Sequence, residues 1–185
     1  YTQKMIRIAS SSTYFVPELE AGKAPERERM LLEICSQEVS AFSEFISDLP
    51  MDTILAASDK IRRSNRIFIF AHDISKVPGE FLKLRLLILY YNVILIDLSD
   101  LEQTQKTLRK LTEGDLVILF SFPRYYFPIG NIAKKASESG VPILTITDSD
   151  ASPAACHSDL LLICPTSTEM FYNSMTIPIA MLNIL

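Results

Sequence analysis

From residue 66 onward the apolar positions fall in short dense blocks instead of alternating with polar ones. Arg66-Ile67-Phe68-Ile69-Phe70-Ala71 is the first. Val93-Ile94-Leu95-Ile96, Leu116-Val117-Ile118-Leu119-Phe120, Ile143-Leu144-Thr145-Ile146 and Leu160-Leu161-Leu162-Ile163 follow. A β-rich block without alternation predicts a strand covered on both faces, as in a parallel sheet. Helical spacing fills the gaps at 78–89, 101–111 and 128–139, with a shorter helical turn after Ser152-Pro153. Residues 169–185 predict a last helix, with Pro178 as its kink point. Buried strands alternating with helices define an α/β fold. It is a five-stranded parallel sheet, doubly wound and flavodoxin-like, with helices on both faces and right-handed crossovers.

The texture upstream is different. Met30, Leu31, Ile34, Val39, Phe42, Phe45 and Ile46 recur at roughly helical intervals over 25–46. Pro25 suits the first turn and Leu49-Pro50 ends the run. Asp52 then reads as the N-cap of a second helix carrying Ile54, Leu55, Ala57 and Ile61. Residues 1–23 are Ser/Thr-rich with Pro17 and Gly22, a linker or the tail of an upstream domain, leaving 24–185 as the domain proper. The chain starts at Tyr1 and stops at Leu185 within an apolar run, so it is expected to be a piece of a longer protein.

Composition narrows the function classes. The 185 residues are 48% hydrophobic and 22% charged, ordinary for a soluble globular domain. The net charge of -4 makes the chain by itself a poor ligand for a duplex, so contact with DNA would need a basic domain upstream. No secretory signal pattern opens the sequence. Its densest apolar stretch, 84–98, is broken by Arg85, Asn92 and Asp97 and predicts no membrane span. Cys35, Cys156 and Cys164 lack CxxC spacing, and His72 and His157 are the only histidines. This predicts no metal site and no cofactor, but reduced, mostly buried thiols in the cytoplasm.

In a doubly wound sheet, ligands bind beyond the carboxyl ends of the strands where the strand order reverses. The segments there are 71–75, 97–100, 121–126 and 147–153, rich in hydroxyls and poor in glycine. Hydroxyls and helix-start N–H groups suit a phosphate or a sugar.

At these loops the sequence resembles the sugar isomerase (SIS) domain of the RpiR family of bacterial transcription regulators. The residues carrying the likeness are Asp115 to Tyr126, with a strand running into Ser121-Phe122-Pro123-Arg124-Tyr125. After them come Gly140 before the next strand, Thr147-Asp148-Ser149-x-x-Ser152-Pro153, and Ser158-Asp159 leading a strand. The family pattern after the first strand is Gly-x-Gly-x-Ser, where this chain has Ala71-His72-Asp73-Ile74-Ser75. The family's second loop, Ser-x-Ser-Gly-x-Thr, keeps only Ser121. Such proteins join an N-terminal helix-turn-helix domain to a phosphosugar-sensing SIS domain. The resemblance therefore implies a phosphorylated sugar as ligand, a homodimer or higher homo-oligomer, and DNA contact only through an upstream domain. Phosphosugar isomerase and vestigial dimerisation domain are the competing readings.

Candidate ligand-binding residues are Ser75, Ser121, Arg124, Tyr125 and Glu169. Ser75 and Ser121 hydrogen-bond a phosphate or act structurally, Ser75 as a helix cap. Arg124 offers a planar fork for phosphate or pairs with a surface carboxylate. Tyr125 and Tyr126 stack on a sugar or pack at the sheet mouth. Asp148 and Ser152 read as turn-formers. Glu169 opens the expected last helix and is either a dipole-favoured cap or, by the resemblance to SIS isomerases, a base. His72 is a general base or structural, and no catalytic residue is assigned because no tight acid–base constellation is visible.

Overall fold

The computed structural model describes residues 26–168 and 173–185, so the expected 1–23 segment lies outside the described residues. The chain divides into two compact units. In the first, helix α1 (Glu26–Ser47) buries none of its residues, and Met30, Leu31, Val39 and Phe42 are exposed along it.

The second unit begins with α2 (Met51–Arg63). Pro50 takes the N-cap position, which puts Asp52 inside the first turn and not at the cap expected for it. Strands β1 (Arg66–Ala71), β2 (Val93–Asp97), β3 (Asp115–Ser121), β4 (Ile143–Thr147) and β5 (Leu160–Ile163) form one sheet in the order β2-β1-β3-β4-β5. Every pairing is parallel. The dense apolar blocks are therefore strands, and β1, β3 and β4 are buried almost throughout. β2 and β5 are edges, where Ile94 and Ile163 stay exposed.

Side chains leave a strand on alternate faces. Phe68, Phe70, Val117, Leu119 and Ile143 pack with α5 (Ile129–Glu138) and with Leu108 of α4 (Leu101–Leu108). On the other face α3 (Lys76–Ile88) lies on β1 and β2. A Cβ built on Gly79 of that helix would stand 3.1 Å from Leu95 Cδ1 and 3.4 Å from Ala71 Cβ, so α3 packs closely on the sheet there and an alanine would need Leu95 to give by a few tenths of an ångström. α2 covers β5, and α6 (Thr176–Ile184) packs on α3.

Several boundaries move for local reasons. α3 starts at Lys76 because a 3-10 turn, Asp73–Ser75, runs directly into it. α4 ends at Leu108, short of 111. Downstream, Asp115 accepts from Thr112 N at 2.7 Å and Thr112 Oγ1 at 3.1 Å, drawing that segment into a turn. Asp115 is 1% exposed and is also gripped by Arg66, with Nε and Nη2 donating at 2.8 and 2.7 Å. The last helix begins at Thr176, not at 169, because Asn173 takes a positive φ of 64° that interrupts helical backbone. Pro178 then sits in the first turn, where its missing N–H costs nothing, and it starts the helix instead of kinking it. The expectation of mostly buried thiols fails for two of three: Cys35 and Cys156 are exposed and only Cys164 is buried. Burial pushes the Cys164 thiol up to about 12.

Candidate functional site

β1 and β3 are neighbours, with β2 beyond one and β4 and β5 beyond the other, so the strand order reverses between them. The loops leaving their carboxyl ends cannot cover each other, and a crevice opens there. It is lined by His72, Asp73 and Ser75 after β1, by Ser121, Phe122, Pro123, Arg124 and Tyr126 after β3, and by Ile129 at the start of α5. The cavity volume is about 20 Å³, room for little more than one water molecule. The amino ends of α3 and α5 both meet this crevice, so two helix dipoles favour negative charge in it.

The backbone at the two former glycine positions is informative. Asp73 stands at the second glycine of Gly-x-Gly-x-Ser and has φ 49°. Arg124 stands at the glycine of Ser-x-Ser-Gly and has φ 55°. Both keep the left-handed conformation for which glycine is the ordinary residue. Aspartate tolerates it through local hydrogen bonding, whereas arginine has no such relief.

Ser75 is 6% exposed, lines the cavity and makes no side-chain capping hydrogen bond to α3. Ser121 is 3% exposed, and its Oγ accepts from Ser152 Oγ at 3.0 Å. Ser152, read from sequence as a turn-former, thus orients Ser121 from the loop after β4. Thr147 Oγ1 adds a second tie, donating to Ser121 O at 2.5 Å. Arg124 is exposed at the rim, and no ion pair engages it among the described residues. The loop that carries it is pinned by Asn173 Nδ2, which donates to Pro123 O at 2.7 Å.

Tyr125 is placed elsewhere. Its hydroxyl donates to Asp148 Oδ1 at 2.8 Å, bridging the loops after β3 and β4, and the ring does not line the cavity. Burial, with the neighbouring Asp148 carboxylate, pushes its phenol up to about 12. The tyrosine at the cavity is Tyr126, whose hydroxyl donates to Leu98 O at 3.1 Å and whose ring lies 4.2 Å from that of His72. Glu169 lies outside the described residues. Lys76 is occupied by Asp97 at 2.8 Å. That ammonium, with the Ser99 amide, lowers the Asp97 carboxyl to about 2. The structure thus brings Ser75, Ser121 and Arg124 together and sends Tyr125 to a supporting role. Sequence reasoning named Tyr126 beside Tyr125 as a stacking or packing residue but chose Tyr125 for the site, read Ser152 only as a turn-former, and passed over Asn173.

With this geometry in place, the model of one protein family, the SIS domain, matches residues 60–185. The chain belongs to the SIS domain family. Among solved structures, this SIS domain is similar to the sugar isomerase domain of an RpiR transcription factor from Sphaerobacter thermophilus. They share 24% identity over 84% of this chain and 87% of that one, with a TM-score of 0.77. It is also similar to Vibrio vulnificus NanR complexed with ManNAc-6P, at 14% identity, TM-score 0.70, over 88% and 67% of the two chains. A Methanococcus jannaschii protein, for which a 3-hexulose-6-phosphate isomerase function has been inferred, matches at 19% identity and TM-score 0.64 over 84% and 86%. No curated protein matches the sequence. Among the described residues no helix is long and apolar enough to cross a membrane.

Proposed function

We propose that this SIS domain is the phosphosugar-sensing half of a cytoplasmic RpiR-type transcription regulator, and that it binds without turning its ligand over. The observation that carries the reading is the crevice between β1 and β3, where Ser75, the Ser152-oriented Ser121 and Arg124 converge at two helix amino ends. The Arg124 guanidinium has no ion pair among the described residues. Hydroxyl donors, helix dipoles and a fixed positive fork together make a site for a phosphate group. The solved neighbours are consistent with this, since NanR is complexed with ManNAc-6P. A cavity of about 20 Å³ is far below the roughly 300–1,000 Å³ of a small-molecule pocket, so the loops after β1 and β3 part when the sugar enters.

Isomerisation requires a proton shuttle beside a carbonyl. Among the described residues, the titratable groups lining the crevice besides Arg124 and Tyr126 are His72 and an exposed Asp73, and no hydrogen bond links them into an acid–base pair. The isomerase reading draws on the Methanococcus jannaschii neighbour and is tested by assay of aldose and ketose phosphates. Measurable turnover would replace the sensor reading. The sensor reading itself is tested by a thermal-shift and calorimetric screen of phosphosugars that includes ManNAc-6P. A ligand that binds only the folded state raises its apparent stability. A complete set of negatives would leave a domain that only associates.

Self-association belongs to the same reading. The outer face of α3 exposes Val77, Leu84 and Ile88, the last at 75%, and the turn after it exposes Leu89 and Tyr90. A contiguous apolar face of this kind marks a contact surface, and a two-fold dimer is the commonest way to cover one. In the regulator, DNA is bound by a helix-turn-helix domain preceding the described residues, and palindromic half-sites match the dimer.

A further inference from the structure

His72 walls the crevice on the β1 side, one residue past the strand end, with extended backbone (φ -136°, ψ 147°). Its imidazole rests on Tyr126, the ring centroids 4.2 Å apart and the planes tilted by 33°. Tyr126 is itself fixed, because its hydroxyl donates to Leu98 O. The imidazole is therefore held in place from below. Although the residue as a whole is partly exposed, Nδ1 is buried and has no hydrogen-bond partner, the only such side-chain nitrogen or oxygen among the described residues. An unpaired buried polar atom is destabilising, and in folded proteins such atoms are few and call for a reason. Packing does not supply one here. A phenylalanine would cover Tyr126 equally well without desolvating a nitrogen.

We propose that His72 is a ligand-binding residue of this crevice and that its Nδ1–H donates to an oxygen of the phosphate group held by Ser75, Ser121 and Arg124. The inference rests on the phosphosugar reading above and adds to it the donor that takes over from the lost glycine loop. In a Gly-x-Gly-x-Ser loop the backbone itself comes close to the phosphate. Here position 71 is alanine and position 73 is aspartate, and the residue between them carries a side-chain donor instead. An imidazole donates from one ring nitrogen when neutral and from both when charged, so phosphate selects the form with hydrogen on Nδ1. Among the described residues, Asp73 is the one carboxylate lining the crevice. It is exposed, so water screens its repulsion of an anion, and Arg124 opposes it from the facing loop.

The test uses the fact that His72 and His157 are the only imidazoles in the chain. Long-range proton–nitrogen spectra of the ¹⁵N-labelled protein, titrated with inorganic phosphate and then with ManNAc-6P, should show a saturable shift at Nδ1 of His72 and none at His157. Two variants carry the same test into affinity. His72→Asn, whose amide nitrogen falls near the place of Nδ1, should bind within about threefold of the parent. His72→Phe, which keeps the stack on Tyr126, should bind about tenfold more weakly or worse without losing thermal stability. If Arg124→Ala weakens phosphate binding while His72→Phe binds like the parent, His72 is not a ligand residue and the site stands. If the parent binds neither probe, the site reading and the role of His72 fall together.

Discussion

Replacing Arg124 by glycine should make the domain more stable and a poorer binder at the same time. Arg124 has φ 55°, a conformation that costs a non-glycine residue about 1–2 kcal/mol. Glycine removes that cost but brings a more flexible unfolded chain, worth about 0.5–1 kcal/mol in the opposite direction. The difference is a net gain centred on about 0.75 kcal/mol, within a span of about 0–1.5 kcal/mol. For a domain of this size the central value is a rise of roughly 1–4 °C in Tm. No ion pair is lost in the exchange, because none engages the guanidinium among the described residues. Affinity should move the other way. A hydrogen bond to a charged group contributes about 1.5–3 kcal/mol, so the phosphosugar Kd should rise by about ten- to a hundredfold. Arg124→Ala is the control: it loses the same charge but keeps the strained φ, so it should match the glycine variant in affinity and not in stability. The measurements are urea unfolding of the three proteins and calorimetric titration with ManNAc-6P. Glycine and alanine variants of equal stability would refute the strain argument. An unchanged Kd in both would refute the placement of the phosphate.

The remaining expectations concern the frame around the site. Asp115→Ala strands the Thr112 amide and the Arg66 fork. Breaking a buried pair costs about 3–5 kcal/mol, and because Arg66 is partly exposed and can be rehydrated, about 2 kcal/mol is expected, a Tm lower by roughly 4–8 °C. A loss under about 0.5 kcal/mol, the size of an ordinary surface change, would show the clamp to be idle. Burial alone would raise the Asp115 carboxyl, but hydrogen bonds from Arg66 and Thr112 outweigh it and hold it below the ordinary carboxylate range. A depressed folded-state pKa means that this stabilisation is complete above an unfolded value of about 3.9 and is lost as pH falls through the lower folded value. Acid unfolding of the parent against Asp115→Asn checks that window, since the variant should lack this part of the pH dependence. Ile88→Glu together with Leu84→Glu places charge on the outer face of α3 and should turn a dimer into a monomer in light scattering. A mass unchanged by the pair would move the interface to another face.

The strands were legible because their signal is local. Five short, dense apolar runs without alternation mark strands, of which β1, β3 and β4 are buried and β2 and β5 are edges. β1 and β5 match the sequence limits to the residue. Helix ends were less legible, since they depend on the turn geometry adopted just outside them. Nothing near Leu108 announces that Asp115 will bend the segment before it, and nothing near 169 announces the left-handed turn at Asn173. The site divides the same way. Ser75, Ser121 and Arg124 lie in loops that follow recognisable strands, so topology alone brings them together. Ser152 and Asn173 act on the site by holding those loops from outside, through contacts spanning 31 and 50 residues. Tyr125 and Tyr126 are adjacent and chemically identical, and only the direction of each side chain separates a bridge to Asp148 from a wall of the crevice.

The two replaced glycines also bear on how the site works. Glycine in the left-handed region makes a loop that is shaped for phosphate and free to rearrange. In this chain the shape is kept at positions 73 and 124, but a side chain at each leaves fewer accessible backbone conformations than glycine would. The second loop is further tied by Thr147 and Ser152 at Ser121 and by Asn173 at Pro123. With a crevice of about 20 Å³, entry of any sugar phosphate has to open these ties. Such opening suits a sensor. Ligand that parts the β1 and β3 loops must move α3 and α5, which begin at those loops, and α3 carries on its outer side the apolar face assigned above to the dimer. In the proposed sensor, occupancy of the crevice and geometry of the pair would then be linked through one helix. Tight binding that left the dimer's distances unchanged would break that link.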